Sequence, residues 1–380
     1  MLVDGNDNRR IIPALTGLRG VAASWVVVYH LHEYDRIGGS FGAFVHRGYL
    51  AVDVFFVLSG FVMSLSYAHF FAAGFTWKRY ASYLLRRAAR IYPLYLVLTV
   101  SVAASFVRNH PQVLGSTSFE KNCLFNVALI DFWGFGYALD EATWSISTEF
   151  AAYVLFPILA IFSLFGRSRV ALMCGLVCIS IVCALPFISS PADLPYVKQG
   201  ALDIAWPFGI WPLIRCVTEF ALGLLTFRVW SQKTTRELFE RPWVSWCIAT
   251  SFCLLLLWRG ADVLIVLLIP SLLVTLTDGR NLVARTFATK PLLILGELSY
   301  AIYLLHDPLL PLKAVLSEQI SGYIGLFASG IISELAFFAA LLALSALCFR
   351  TIEQPGRAII RRLENRLLPT EDRQLAILKA

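Results

Sequence analysis

Stretches of about twenty predominantly apolar residues recur along the chain, and they constrain its fold more than any other feature. A helix must run ~20 residues to cross the hydrocarbon layer of a bilayer. That template fits at about 11–32, 48–70, 91–109, 144–165, 169–189, 207–230, 243–258, 262–277, 291–312 and 323–349. Composition agrees: 58% of the 380 residues are AVILMFWYC and 15% are DEKR, against roughly 45–50% and ~25% in soluble domains. A soluble enzyme, a disordered chain and a single-anchor protein are excluded. The fold expected is all-α, a polytopic transmembrane helical bundle of about ten spans. The run 122–138, NCLFNVALIDFWGFGYA, is short and interrupted by glycine, so it suits a re-entrant or interfacial segment better than an eleventh crossing.

Charge placement orients these spans. With a cytoplasmic N-terminus, 23 of the 32 Lys and Arg fall in loops on the inner side and seven on the outer side, with Arg19 and Arg215 inside spans. Basic residues favour the cytoplasmic leaflet, so both termini are predicted to be cytoplasmic. Residues 1–350 form one transmembrane domain, followed by a cytoplasmic tail over 351–380, whose part from Arg357 to Ala380 reads as a short basic amphipathic helix or frayed end. The first ten residues, MLVDGNDNRR, do not resemble a removable signal peptide. The net charge of +7 is spread beside the spans rather than in a basic aromatic stripe, so no nucleic-acid partner is expected. Eight cysteines, mostly within apolar runs and without paired CxxC spacing, read as small apolar residues, and His32, His46, His69 and His110 form no ligand set for a metal.

Ionisable groups inside spans cost ~2.5–3.5 kcal/mol or more, so each calls for a partner or a task. The first span, IIPALTGLRGVAASWVVVYHLH, holds Arg19 and His30. Eleven helical steps put them roughly 16 Å apart along the axis, within about 20° of the same face. Arg19 lies near mid-membrane and His30 close to the outer rim. Asp53, entering the second span from outside, is expected at the depth of His30, where a carboxylate can orient an imidazole that acts as a general base; the plain alternative is a structural pair with an arginine. Glu149, in ATWSISTEFAAYVLFP, is also expected near that depth, as a second acid or base, an acceptor-binding group or a proton relay, or else paired with Arg19 or Arg215. Arg87 and Arg90, in an inner loop ahead of the third span, are spaced to clamp a polyphosphate. His306, beside Asp307 at the outer end of a later span, reads as interfacial, and Tyr300 and Tyr303 as packing residues.

Six ordered segments, LTGLRGVAASWVVVYH, GYLAVDVFFVLSGFVMS, RRAARIYPLY, WSISTEFAAYVLFP, LGELSYAIYLLH and RTIEQPGR, together resemble the membrane-bound acyltransferase-3 family across nearly the whole chain. The resemblance implies a bacterial inner-membrane enzyme that O-acylates polysaccharides, lipopolysaccharide, lipo-oligosaccharides or macrolides. By that resemblance Arg19 and His30 correspond to the family's arginine and histidine, Arg87 and Arg90 to its paired arginines, Asp53 to the acid of its VDxFF segment and Glu149 to that of its WSxSxE segment. His30, Asp53 and Glu149 are expected to be catalytic and Arg19, Arg87 and Arg90 to bind the donor. Where some relatives carry a second acid or Gln after the glutamate, this chain has Phe150 and Ala151. Some relatives also carry a fused extracytoplasmic esterase-like domain, which is not expected within this chain.

The expected chemistry is transfer of an acyl group, most simply acetyl, from cytoplasmic acyl-CoA to a hydroxyl of a surface glycan or glycolipid. No tightly bound cofactor and no metal are expected. His30 would act as general base on the sugar hydroxyl, with a covalent acyl-His30 intermediate as the mechanistic rival. A small-molecule acceptor such as a macrolide, or a proton-coupled glycan exporter built on the same intramembrane charges, are the alternative functions.

Overall fold

The computed structural model describes residues 12–33, 38–72, 74–188, 199–258 and 260–367. Arg9, Arg10, Arg36, Lys198, Arg259 and the tail beyond residue 367, which entered the charge count, lie outside the described residues, as does the N-terminal segment read for a signal peptide.

Every apolar run expected as a span is a helix. They are α1 (Pro13–Leu31), α3 (Ala51–Ala72), α4 (Trp77–Asn109), α6 (Trp144–Ala160), α7 (Ser168–Ala184), α8 (Trp211–Trp230), α10 (Pro242–Leu257), α11 (Asp262–Leu276), α13 (Lys290–Ile324) and α14 (Leu326–Cys348). Short helices α2 (Gly39–Val45), α5 (Thr117–Val127), α9 (Lys233–Phe239) and α12 (Leu282–Phe287) lie between them, and α15 (Gln354–Leu367) follows. Among the described residues, six helical stretches are long and apolar enough to cross a membrane, and α10 and α11 are shorter apolar helices. Helices α1 and α8 have spanning length, 19 and 20 residues, and carry ionisable groups along it, half-buried Arg19 and His30 in α1 and buried Arg215 and Glu219 in α8. The glycine-interrupted run contains the 11-residue α5 and then irregular backbone.

Two elements run longer than the apolar pattern suggested. Arg86, Arg87 and Arg90 do not sit in a loop: α4 is continuous over 33 residues, through Pro93. Helix α13 continues to Ile324 through Pro308 and Pro311. A proline interrupts one backbone hydrogen bond and crowds the preceding turn, which packing against neighbouring helices can absorb.

Close approaches between backbones fix the centre of the bundle. A Cβ on Gly20 of α1 would stand 2.6 Å from the backbone nitrogen of Gly296 in α13, and one on Gly296 would stand 2.0 Å from the Thr16 carbonyl oxygen. Only glycine permits that contact, as small residues do at helix interfaces in membranes. Helices α3 and α8 meet the same way: a Cβ on Gly60 would stand 2.0 Å from the Phe220 carbonyl oxygen, and one on Gly223 would stand 2.1 Å from that of Val57. Around these seams lies one buried cluster drawn from α1, α3, α4, α6, α8, α11 and α13, including Trp25, Phe56, Phe61, Tyr95, Phe156 and Phe220.

Beyond α14 a π-helical turn, Phe349–Glu353, leads into α15. Helix α15 packs along α4: Glu364 accepts from Ser82 Oγ at 2.7 Å and from Arg86 Nε at 2.7 Å. The segment expected as a tail is therefore docked on the bundle as far as residue 367.

Candidate active site

Helix α1 separates two polar centres, with Arg19 at its seventh position and His30 one residue from its end. They are referred to here as the arginine end and the histidine end.

At the histidine end the decisive contact joins α1 to α13. His30 Nδ1 lies 3.1 Å from His306 Nε2, with ring centroids 4.9 Å apart, and His306 is fully buried. Each Nδ1 also faces a backbone carbonyl: His30 the oxygen of Val26 at 3.1 Å, and His306 the oxygen of Tyr303 at 2.5 Å. A carbonyl only accepts, so the neutral pair is best satisfied with a proton on both Nδ1 atoms. His306 Nε2 then accepts from His30 Nδ1–H, and His30 Nε2 keeps a free lone pair. This is the tautomer a general base requires. Tyr303, on the same turn as His306, pairs with Ser145 Oγ at 2.8 Å.

Carboxylates surround this end. Tyr29 Oη donates to Glu33 Oε1 at 3.5 Å. Burial, reinforced by Glu141 and Asp203, pushes the Glu33 carboxyl up to about 7. Asp140 accepts from the Ala142 N–H through Oδ1 at 3.0 Å, while its buried Oδ2 has no hydrogen-bond partner. Burial first, then the nearby Asp307, raise Asp140 to about 8. Among the described residues no group of three His, Cys, Asp or Glu side chains is arranged to hold a metal ion.

Asp53 does not orient His30. Both its oxygens are taken by Arg215 of α8, from Nε at 2.8 Å and from Nη2 at 2.6 Å, and Glu219 approaches the same guanidinium at 3.8 Å. Asp53, Arg215 and Glu219 are all buried. A buried carboxylate takes the strongest donor within reach, and a bidentate guanidinium outcompetes a neutral imidazole. The position expected for Asp53 beside His30 is filled by His306.

Glu149 likewise belongs to another layer. It accepts from Tyr153 Oη at 2.6 Å, and Tyr153 Oη lies 3.0 Å from Ser59 Oγ. Arg19 stands within electrostatic reach of Glu149 and Tyr153, so this acid lies nearer to Arg19 than the depth of His30 suggested.

The paired arginines of α4 diverge. Arg87 is buried, donates from Nη2 to Tyr67 Oη at 2.6 Å and from Nη1 to Met63 Sδ at 3.5 Å, and stacks over the Tyr67 ring at 4.7 Å. Arg90, half-buried, faces Arg19, Glu353, Arg357 and Tyr300 electrostatically. Three positions along α4 turn the side chain by about 60°, so Arg87 meets Tyr67 and Met63 of α3 while Arg90 is left facing Arg19 and Arg357. Two apolar grooves flank α5 and meet at Cys123 and Val127; they contain none of these groups.

A family model described as an acyltransferase domain matches residues 12–350. The chain belongs to the acyltransferase-3 family. This acyltransferase-3 protein is 24% identical over 389 aligned positions to a peptidoglycan O-acetyltransferase of Listeria monocytogenes, covering 92% of the chain and 56% of the relative. It is 30% identical to an acyltransferase of Streptomyces mycarofaciens over 39% of the chain and 38% of the relative. It is 39% identical to protein 2 of the picA locus of Rhizobium radiobacter over 24% of the chain and 44% of the relative. The acyltransferase-3 chain thus spans little more than half the length of the first of these relatives and less of the other two. No solved structure matches it.

Sequence reasoning assigned no role to Tyr153 or Arg357, read His306 as interfacial, and gave Asp53 an arginine partner only as its plain alternative, the pairing with Arg215 found here. His306 carried one usable signal, since it follows Gly296 by the same ten residues that separate His30 from Gly20.

Proposed function

We propose that this protein is an O-acyltransferase. It takes an acyl group, acetyl in the simplest case, from acyl-CoA at the arginine end and transfers it to a hydroxyl of a surface glycan at the histidine end. The observation that carries the proposal is the 3.1 Å contact of His30 Nδ1 with Nε2 of the buried His306, which in the tautomer assigned above leaves His30 Nε2 unprotonated, on the same helix as Arg19 and roughly 16 Å from it by helical rise. Family membership and the O-acetylation named for the Listeria relative support the reaction class. The excess of basic residues on the side of the arginine end supports a cytoplasmic position for it.

In this reaction His30 Nε2 removes the proton of the acceptor hydroxyl as its oxygen attacks the thioester carbonyl. The imidazolium donates through Nδ1 to His306 Nε2, so the second histidine supplies the acceptor expected of Asp53. Collapse of the tetrahedral intermediate expels the thiolate of coenzyme A, which takes the proton from His30 and leaves as thiol. Arg19, Arg87 and Arg90 bind or orient the donor. Glu149, held by Tyr153 beside Arg19, lines the route between the two ends. Asp53 acts through Arg215, holding α3 on α8 and so supporting the wall of the site.

Mass spectrometry of surface glycan from cells carrying the wild type, a His30→Ala variant or no protein tests this. The ester mass is expected only with the wild type; the same ester from cells with the variant would remove His30 from the chemistry.

A further inference from the structure

The geometry points to α15 as part of the donor site: Arg357, tied by a single contact to Glu353, supplies the third guanidinium, beside Arg19 and Arg90, of a cradle for a phosphate-bearing anion. The inference rests on the donor proposed above and adds to it a residue from beyond the transmembrane helices, together with its counter-ion.

Three helices bring the cations together. Arg19 comes from α1, Arg90 from α4 and Arg357 from α15, and each lies within electrostatic reach of the other two. Neither Arg19 nor Arg90 makes a hydrogen bond or ion pair with the described residues. Arg361 approaches from the same face of α15. The acids facing this cluster are Glu353 and Glu149, and Glu149 is already engaged by Tyr153; Tyr300 faces it too, but its hydroxyl donates to the Ile91 carbonyl at 2.7 Å. Cations therefore outnumber acids in a partly buried place, where uncompensated charge is costly. An anion removes that cost.

The Glu353–Arg357 pair is incompletely made. Glu353 is fully buried, with Oε2 accepting from Arg357 Nη2 at 2.5 Å. Its Oε1 and the Arg357 Nε are both buried without a hydrogen-bond partner. A guanidinium and a carboxylate that only had to stabilise each other would normally engage through two parallel bonds. Here one donor remains to face a ligand, and the carboxylate competes with that ligand for the guanidinium.

Position is secured independently of the charges. Gly356 lies so close to α4 that a Cβ there would come within 2.5 Å of Pro93 Cγ, and Pro93 is three residues along α4 from Arg90. The π-helical turn at Phe349–Glu353 brings Glu353 inward just before this contact, an irregularity frequent at functional sites. Arg86, by contrast, is neutralised by Glu364 at 2.7 Å and is not part of the cradle.

Calorimetric binding of coenzyme A and of inorganic pyrophosphate to the purified full-length protein in nanodiscs tests the cradle, with melting temperature recorded for every variant. Arg357→Gln is expected to weaken coenzyme A binding about tenfold or more, the size of one lost charge-assisted contact, and Arg357→Lys to recover part of it. Glu353→Gln removes the competing carboxylate and is expected to tighten binding several-fold. Equal affinity in the wild type and Arg357→Gln, or weaker binding in Glu353→Gln together with a lower melting temperature, would make the pair a structural strut and overturn the inference. Pyrophosphate binding that depends on Arg357 in a protein that ignores coenzyme A would keep the cradle and discard the acyl-CoA donor.

Discussion

His30 and His306 stand in register on two parallel helices: ten residues before each, Gly20 and Gly296 bring α1 and α13 into backbone contact. The 3.1 Å separation of the imidazoles is therefore set by two hydrogen side chains roughly 15 Å away by helical rise. Gly296→Ala would place a methyl group 2.0 Å from the Thr16 carbonyl oxygen, and the helices must separate to admit it. Overpacking of this kind costs about 1–3 kcal/mol, and displacement of catalytic groups by ~1 Å costs on the order of 100-fold in rate. Turnover is expected to fall by about that factor while melting temperature drops by only a few degrees. Unchanged turnover in a destabilised Gly296→Ala protein would separate the glycine seam from the chemistry.

The two histidines are expected to behave as one unit. His30→Gln and His306→Gln should each lower kcat by roughly 10²–10⁴-fold, the usual contribution of general base catalysis. The double variant should fall little further than the more damaging single one, because groups that act together are strongly non-additive. Initial rates of glycan ester formation in proteoliposomes measure this. Losses that multiply in the double variant would show that His306 acts independently of His30.

The buried triad of Asp53, Arg215 and Glu219 gives an order of damage that a catalytic Asp53 would not. Arg215→Gln leaves two buried carboxylates without their cation, and removing one partner of a buried ion pair costs about 3–5 kcal/mol. Asp53→Asn leaves Glu219, 3.8 Å away, as a counter-ion for Arg215 and is expected to be distinctly milder. Melting temperatures in detergent should rank wild type above Asp53→Asn, and Asp53→Asn above Arg215→Gln, with activity following the folded fraction. A fully stable Asp53→Asn protein without turnover would return Asp53 to the catalytic step.

What was legible in the sequence divides along a physical line. The helices were readable because a bilayer demands apolar length, and length is a local property: each of the ten runs matches one helix. Arg19 and His30 could be placed on one face because a single helix relates them. Pairings across the bundle were not readable. Asp53 and Arg215 are 162 residues apart and His30 and His306 are 276 apart, and no periodicity links such positions. Arg87 illustrates a different failure: its spacing from Arg90 suggested a shared polyphosphate clamp, yet its guanidinium turns inward to Tyr67. The RTIEQPGR segment was recognisable as a block, but its place against Pro93 depends on how α15 docks.

Asp140 makes stability depend on pH in a direction opposite to that of an ordinary salt-bridged carboxylate. Its folded value is raised to about 8 by burial and by Asp307, whereas in the unfolded chain it titrates near ~3.9. Between those values the folded state holds the proton and the unfolded state has lost it, so stability declines as pH rises from about 4 to about 8 and the full penalty is present above that range. Asp140→Asn cannot ionise, keeps an oxygen to accept from the Ala142 N–H as Oδ1 does at 3.0 Å, and presents an amide donor toward Asp307. The variant is expected to melt several degrees higher than the wild type at pH 9, with the gap closing toward pH 5. A gap of the same size at both pH values would mean that the benefit comes from the new hydrogen bond rather than from the removed charge, and one of opposite sign would mean that Asp140 is ionised in the folded protein.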